Sequence, residues 1–177
     1  RMPADDAPTV IRYSKERLPD TIEAVTSRGA GVERLDVLRQ DPGARTLIVG
    51  YGQFVGLALA TADLLAAHGV PVTVVDPLWA LPVSAELMRM ACEHDHVVTV
   101  EDGLVVGGLG QRLGAALGER CHQPVVHHFG IPQEFLAHGS RGQVLERVGL
   151  TPKAIAHTLL PRLLGSSAED LVEQRSE

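Results

Sequence analysis

Between residues 46 and 128 the chain repeats one pattern: a short apolar β-branched run, a turn, then a stretch of helix length. The runs fall at 46–50, 72–75, 96–100 and 125–128, and the intervening stretches at 54–68, 84–92 and 108–118 are rich in leucine and alanine. Strands alternating with helices at this spacing imply βαβ units, a parallel sheet covered on both faces and right-handed crossovers. The expected fold class is therefore α/β, a three-layer α/β/α domain. Residues 32–38 alternate imperfectly and reach the 46–50 run through the turn Asp41-Pro42-Gly43, too short a path for a parallel crossover, so this strand is expected to run antiparallel. Two further short helices are expected at 141–148 and 151–164. Ser84 and Ser140 stand where helix caps belong. Residues 9–13 read as a strand, 18–31 as a linker and 165–177 as a frayed tail.

Of 177 residues 45% are hydrophobic and the formal net charge is −6, which speaks against a nucleic-acid binder. No run of about 18 apolar residues exists to span a membrane. Cys92 and Cys121 show neither C-x-x-C nor zinc spacing, and a reduced pair in a cytoplasmic protein is expected. The chain opens on Arg1 and on a loop already under way, Pro3-Ala4-Asp5-Asp6-Ala7-Pro8, as a piece of a longer protein would.

The glycines and histidines are the first candidates for chemistry. Gly50-Tyr51-Gly52-Gln53-Phe54-Val55-Gly56 is one residue too long for a dinucleotide fingerprint and places bulky side chains beside the pyrophosphate. A tight turn with close helix–sheet packing accounts for it better. Gly107-Gly108-Leu109-Gly110 lacks the Lys-Ser/Thr of a phosphate loop, and Glu101 and Asp102 nearby would repel a phosphate. With Val105, Val106 and Leu109 around the glycines, this turn suits protein–protein packing, so Val105, Val106, Gly107, Gly108, Leu109 and Gly110 are the candidate interface. His94-x-His96 and His127-His128 lack a third ligand at helical spacing, and neighbours on a strand point to opposite faces. Neither serine lies in a nucleophile elbow. Residue chemistry alone thus yields no self-contained active site.

One set of motifs is more specific. Ile11-Arg12-Tyr13-Ser14-Lys15 is followed by Val74-Val75-Asp76-Pro77-Leu78-Trp79-Ala80-Leu81-Pro82 and by His94-Asp95-His96-Val97-Val98-Thr99-Val100-Glu101-Asp102. Then come Gly107-Gly108-Leu109-Gly110, Gly130-Ile131-Pro132-Gln133-Glu134-Phe135-Leu136-Ala137-His138-Gly139 and Gly149-Leu150-Thr151. In this order, over about residues 8–160, the chain resembles the carboxy-terminal part of the 1-deoxy-D-xylulose-5-phosphate synthase family, thiamine-diphosphate transferases of the transketolase group.

The resemblance implies a mixed five-stranded sheet with one antiparallel strand. It makes 32–164 a transketolase C-terminal-like domain and 1–17 the end of a preceding pyrimidine-binding domain. It implies a homodimeric parent that condenses pyruvate with glyceraldehyde 3-phosphate, releasing carbon dioxide, toward isoprenoid, terpenoid and thiamine synthesis. Thiamine diphosphate and Mg²⁺ would be held by other domains of the same parent chain, with no cofactor or metal expected on this part alone. Arg12 corresponds to the arginine that binds the substrate phosphate, and a guanidinium suits a bidentate phosphate contact. Ser14, Lys15 and Glu16 stand where the family's pattern has proline, arginine and glycine. A 2-oxo acid dehydrogenase beta subunit and a stand-alone nucleotide-binding or adaptor domain remain as alternatives.

Overall fold

The computed structural model describes residues 20–118 and 124–165. Six strands, β1 (Thr26–Arg28), β2 (Leu35–Gln40), β3 (Thr46–Gly50), β4 (Val72–Asp76), β5 (His96–Leu104) and β6 (Val125–Ile131), form one sheet in the order β1-β2-β4-β3-β5-β6. The β4, β3, β5 and β6 strands are parallel, and β2 runs antiparallel to both its neighbours. The direction deduced from the short 41–43 turn is therefore observed.

Period-two alternation divides the core. Ile48, Val72, Val74, Val98 and Val100 face helices α1 (Val55–Ala67) and α5 (Pro152–Leu164), while Leu47, Val49, Val75 and Val97 face α2 (Ala85–Cys92) and α3 (Leu109–Gly118). Each fully buried aliphatic side chain contributes about 1.5–3 kcal/mol, so the alternation alone specifies which face meets which helices. The helix α1 is apolar nearly all round because α5 covers it from outside; Leu57, Leu59 and Leu64 pack into the same core as Ile155 and Leu159. The two capping expectations hold: Ser84 accepts from Leu87 N–H, and Ser140 and Gln143 form a capping box on α4 (Arg141–Arg147); Thr151, not singled out in the sequence, caps α5 in the same way.

Three expectations need correction. Among the described residues the sheet has six strands rather than five, because β1 lies inside the expected 18–31 linker. Three residues between turn formers carry no readable alternation; β1 is specified by its partner, with Ser27 donating to Asp36 at 2.5 Å and Arg34 bridging to the same carboxylate at 3.1 Å. The start of the expected 32–38 strand is a 3-10 turn, Gly31–Glu33, and the strand proper extends to Gln40. Cys92 is disulfide-bonded, not the reduced thiol expected from spacing alone. The expected 9–13 strand lies outside the described residues.

The carboxyl edge of the sheet as candidate functional site

Neighbouring strands β3 and β5 send their chains in opposite directions, so the crevice at their carboxyl ends is the switch point where open α/β sheets place their sites. Tyr51 leaves β3 there, its N–H donating to Val100 O at 3.0 Å, and Glu101 stands opposite on β5. Just past Val100 the β5–β6 register slips: Val100 pairs with Phe129, but Leu104 pairs with Ile131. The bulge crowds Glu101, Asp102 and Gly103 against β6. Gly130 is required in that crossing, since a Cβ there would lie 2.8 Å from Gly103 O.

Glu101 is 6% exposed and makes its bonds to backbone. Oε2 accepts from Leu109 N–H and Oε1 from Gly110 N–H, both at 2.9 Å, so the carboxylate occupies the amino terminus of α3 and complements its dipole. The anion position of this glycine turn is thus filled by the protein's own side chain. This is the physical reason that it is not a phosphate loop. Burial and the nearby Glu101 charge push the Tyr51 phenol well above its ordinary range. Asp102 turns outward to Arg141, whose Nη2 donates at 2.7 Å and whose guanidinium lies 5.5 Å from the Phe54 ring centroid.

The candidate interface residues divide into two kinds. Gly107 has φ 73° and donates to Gln111 Oε1 at 2.8 Å. A Cβ on Gly108 would collide with Leu104 O and stand 2.6 Å from Glu101 Oε1; one on Gly110 would collide with Thr99 Oγ1 and stand 2.6 Å from His128 Nδ1. These two glycines have an intramolecular reason to be glycine. Leu109 packs into the α2–α3 core, and Val105 donates its N–H to Ile131 O at 3.0 Å. Val106, 56% exposed, is the apolar side chain of the set that faces solvent. Arg12 lies outside the described residues.

Sequence reasoning missed the rest of the apolar rim. Leu104 is exposed, Phe135 is completely so, and together with Gln133 and Glu134 they line a groove of about 430 Å³. Leu78, Trp79 and Leu81 are about half exposed in the loop after β4. Phe135 sits in the quoted G-I-P-Q-E-F stretch, so the motif was visible but its outward orientation was not. In the sequence Glu101 is a charge that repels phosphate; the spacing of eight and nine residues to Leu109 and Gly110 is the available signal of its bonds to α3.

The histidines separate as neighbours on a strand should. His127 faces α5 and His128 faces α3, where it lies 3.0 Å from Thr99 Oγ1. Burial lowers the pKa of His128, opposed by Glu101. Among the described residues no three His, Cys, Asp or Glu side chains are placed to hold a metal ion. His127 Nδ1 faces the Arg162 guanidinium, the reverse of the hydrogen-bond acceptor that a metal-ligating imidazole requires behind it.

The family model for the transketolase C-terminal domain matches residues 35–155. Among curated relatives, 1-deoxy-D-xylulose-5-phosphate synthase of Clavibacter sepedonicus is 46% identical over 162 residues, covering 92% of this chain and 24% of the relative. 1-Deoxy-D-xylulose-5-phosphate synthase 2 of Kitasatospora griseola is 45% identical over 157 residues, covering 85% and 24%. The chain thus spans about a quarter of the length of the curated relatives it matches. Among solved structures, a split-gene transketolase described as an inactive beta4 tetramer is similar at TM-score 0.67 and 29% identity over 76% of this chain and 44% of that one. Transketolase of Campylobacter jejuni shares the fold at TM-score 0.54 and 21% identity, over 78% of this chain and 20% of that one. With the domain match, the mixed sheet and its single antiparallel strand in agreement, the chain belongs to the transketolase C-terminal domain family.

Proposed function

We propose that this chain is the carboxy-terminal part of a 1-deoxy-D-xylulose-5-phosphate synthase, a transferase that condenses pyruvate with glyceraldehyde 3-phosphate and releases carbon dioxide. The observation that carries the reading is similarity at 40–46% identity, across nine-tenths of the chain, to six relatives all bearing that name. The described residues do not fit the thiamine diphosphate and Mg²⁺ of such an enzyme: Glu101 is committed to the α3 amides and Asp102 to Arg141. The cofactor is assigned to the parent's other domains, and the domain around β1–β6 is given a supporting role in a homodimer. Its association surface is the apolar rim of Leu104, Val106 and Phe135 at the carboxyl edge. No helix among the described residues is long and apolar enough to cross a membrane.

Arg12 is proposed to clamp the phosphate of glyceraldehyde 3-phosphate. In the parent enzyme Arg12→Ala should raise the KM for glyceraldehyde 3-phosphate about thirty- to hundredfold, the loss of a charge-assisted bond of roughly 2–3 kcal/mol, and leave that for pyruvate nearly unchanged. Steady-state kinetics with each substrate varied in turn test this. Equal effects on both substrates would remove Arg12 from the phosphate site, and a parent that makes no 1-deoxyxylulose 5-phosphate would overturn the assignment itself.

A further inference from the structure

At the opposite end of the sheet, away from the carboxyl edge, lies a chain of three nitrogen bases that the proposed function does not use. His127 on β6 is 6% exposed and stacks on His96 of β5, with ring centroids 5.5 Å apart and planes 21° from parallel. His127 Nε2 lies 3.3 Å from His96 Nδ1, and Arg162 Nη1 lies 3.4 Å from His127 Nδ1. We propose that His96, His127 and Arg162 form an acid-released latch, in which one proton taken up by the imidazole pair breaks the bond to Arg162 and frees the last turn of α5 from the sheet.

The argument rests on which nitrogen can donate. A guanidinium has no acceptor and stays charged, so Arg162 must donate and His127 Nδ1 must accept. Neutral His127 therefore carries its proton on Nε2 and donates it to His96 Nδ1, which places the His96 proton on Nε2. The direction Arg162 to His127 to His96 is the single arrangement that satisfies both contacts. A second proton on His127 occupies Nδ1 and abolishes the acceptor for Arg162. A second proton on His96 occupies its Nδ1 and faces the His127 Nε2 proton; where the pair stays in contact, His127 moves its own proton to Nδ1, again facing the guanidinium. Uptake at either ring opposes two donors in the chain, and a proton on His127 Nδ1 separates Arg162.

The surroundings offset that charge only in part: the Asp95 carboxylate attracts His96 but is already paired with Arg45. His128 presents its ring to the other face of the sheet, at Gly110 and Gly114 of α3. Asp95, before β5, is held at both oxygens by Arg45 at 2.5 Å. His94 is bound to Met90 O and Thr73 Oγ1, and His157 and Lys153 of α5 are exposed. Among the described residues neither imidazole of the pair bonds a carboxylate. Burial with the charges of His96, Arg162 and His128 accordingly lowers the His127 pKa to about 4. The turn that Arg162 anchors is weakly held by its own backbone, because Pro161 within it has no N–H to give to the carbonyl four residues back. Its release would uncover Leu160 and Leu163, which pack against the α1–α5 core.

Hydrogen–deuterium exchange of the 177-residue chain, corrected for intrinsic pH dependence, provides the test. Between pH 7.5 and 4.5 the protection of residues 159–164 should fall at least tenfold more than that of α1. In Arg162→Ala that turn should be already unprotected and insensitive to pH. No differential loss in the native chain, or the same pH response in the variant, would overturn the latch. A second measurement needs no variant: imidazole ¹⁵N shifts at pH 7.5 should place the proton of both His127 and His96 on Nε2. A proton on Nδ1 of His127 would refute the proposal.

Discussion

The two ends of the sheet each bury an ionisable group, and they satisfy it by opposite means. At the carboxyl edge Glu101 is bonded by backbone amides that belong to α3 itself, so the donors are always present and their positions are set by the helix. At the amino edge His127 is bonded by two side chains, and the bonds survive in one protonation state only. The first arrangement demands space, which is why glycine is needed at 108, 110 and 130. The second demands a proton count. Burying a polar group through backbone gives rigidity, whereas burying one through titratable partners makes a joint that pH can open.

The largest effect should come from filling the space at the carboxyl edge. Gly108→Arg sets a Cβ against Leu104 O and the Glu101 carboxylate, and should destabilise the domain by about 3 kcal/mol or more, read as a shift in urea midpoint. Because the glycine is needed inside the domain, this variant cannot serve to probe the dimer; retained stability would break the account of the glycine turn. Glu101→Ala removes the acceptor from two amides and should cost roughly 2–3 kcal/mol, with Glu101→Gln losing less because one oxygen remains. Equal losses for the two would mean that the negative charge, rather than the hydrogen bonds, holds α3.

Next in size is the pH effect at the other end. His127 binds its proton more weakly folded than unfolded, so its contribution is fully present above the unfolded value near 6.5 and is lost as pH falls toward about 4. The loss should be at most about 3 kcal/mol, and His128, lowered in the same direction, adds to it. Urea unfolding at pH 7.5, 5.5 and 4.5 should show the decline, and His127→Gln should flatten it. A decline of equal slope in that variant would place the acid sensitivity elsewhere.

The smallest effect on stability, within about 0.5 kcal/mol, is expected for Val106→Glu and Phe135→Ser, since both side chains face solvent. Under the proposed association surface these same changes should shift sedimentation of the parent toward monomer. An unchanged dimer would confine the rim to some other role.

Sequence alone determined the layer order of this protein. Apolar runs such as 46–50 and 72–75, separated by helix-length stretches, admit few solutions, and the short turn at Asp41-Pro42-Gly43 fixed the direction of the antiparallel strand. Ser84 and Ser140 announced their helices because a cap acts on amides two or three residues away. The motifs from Ile11 to Thr151 carried the family. The tertiary structure alone decided where β1 pairs, because three residues between turns acquire strand geometry only from a partner. It decided also that Glu101 turns inward to α3 while Asp102 turns out to Arg141, a choice made by the β5 bulge, and that Phe135 stands in solvent. The His96–His127–Arg162 chain joins residues 31 and 35 positions apart. Local rules of capping and periodicity act over a few residues and can be read in order; contacts across the sheet depend on register, and register exists only once the strands have met.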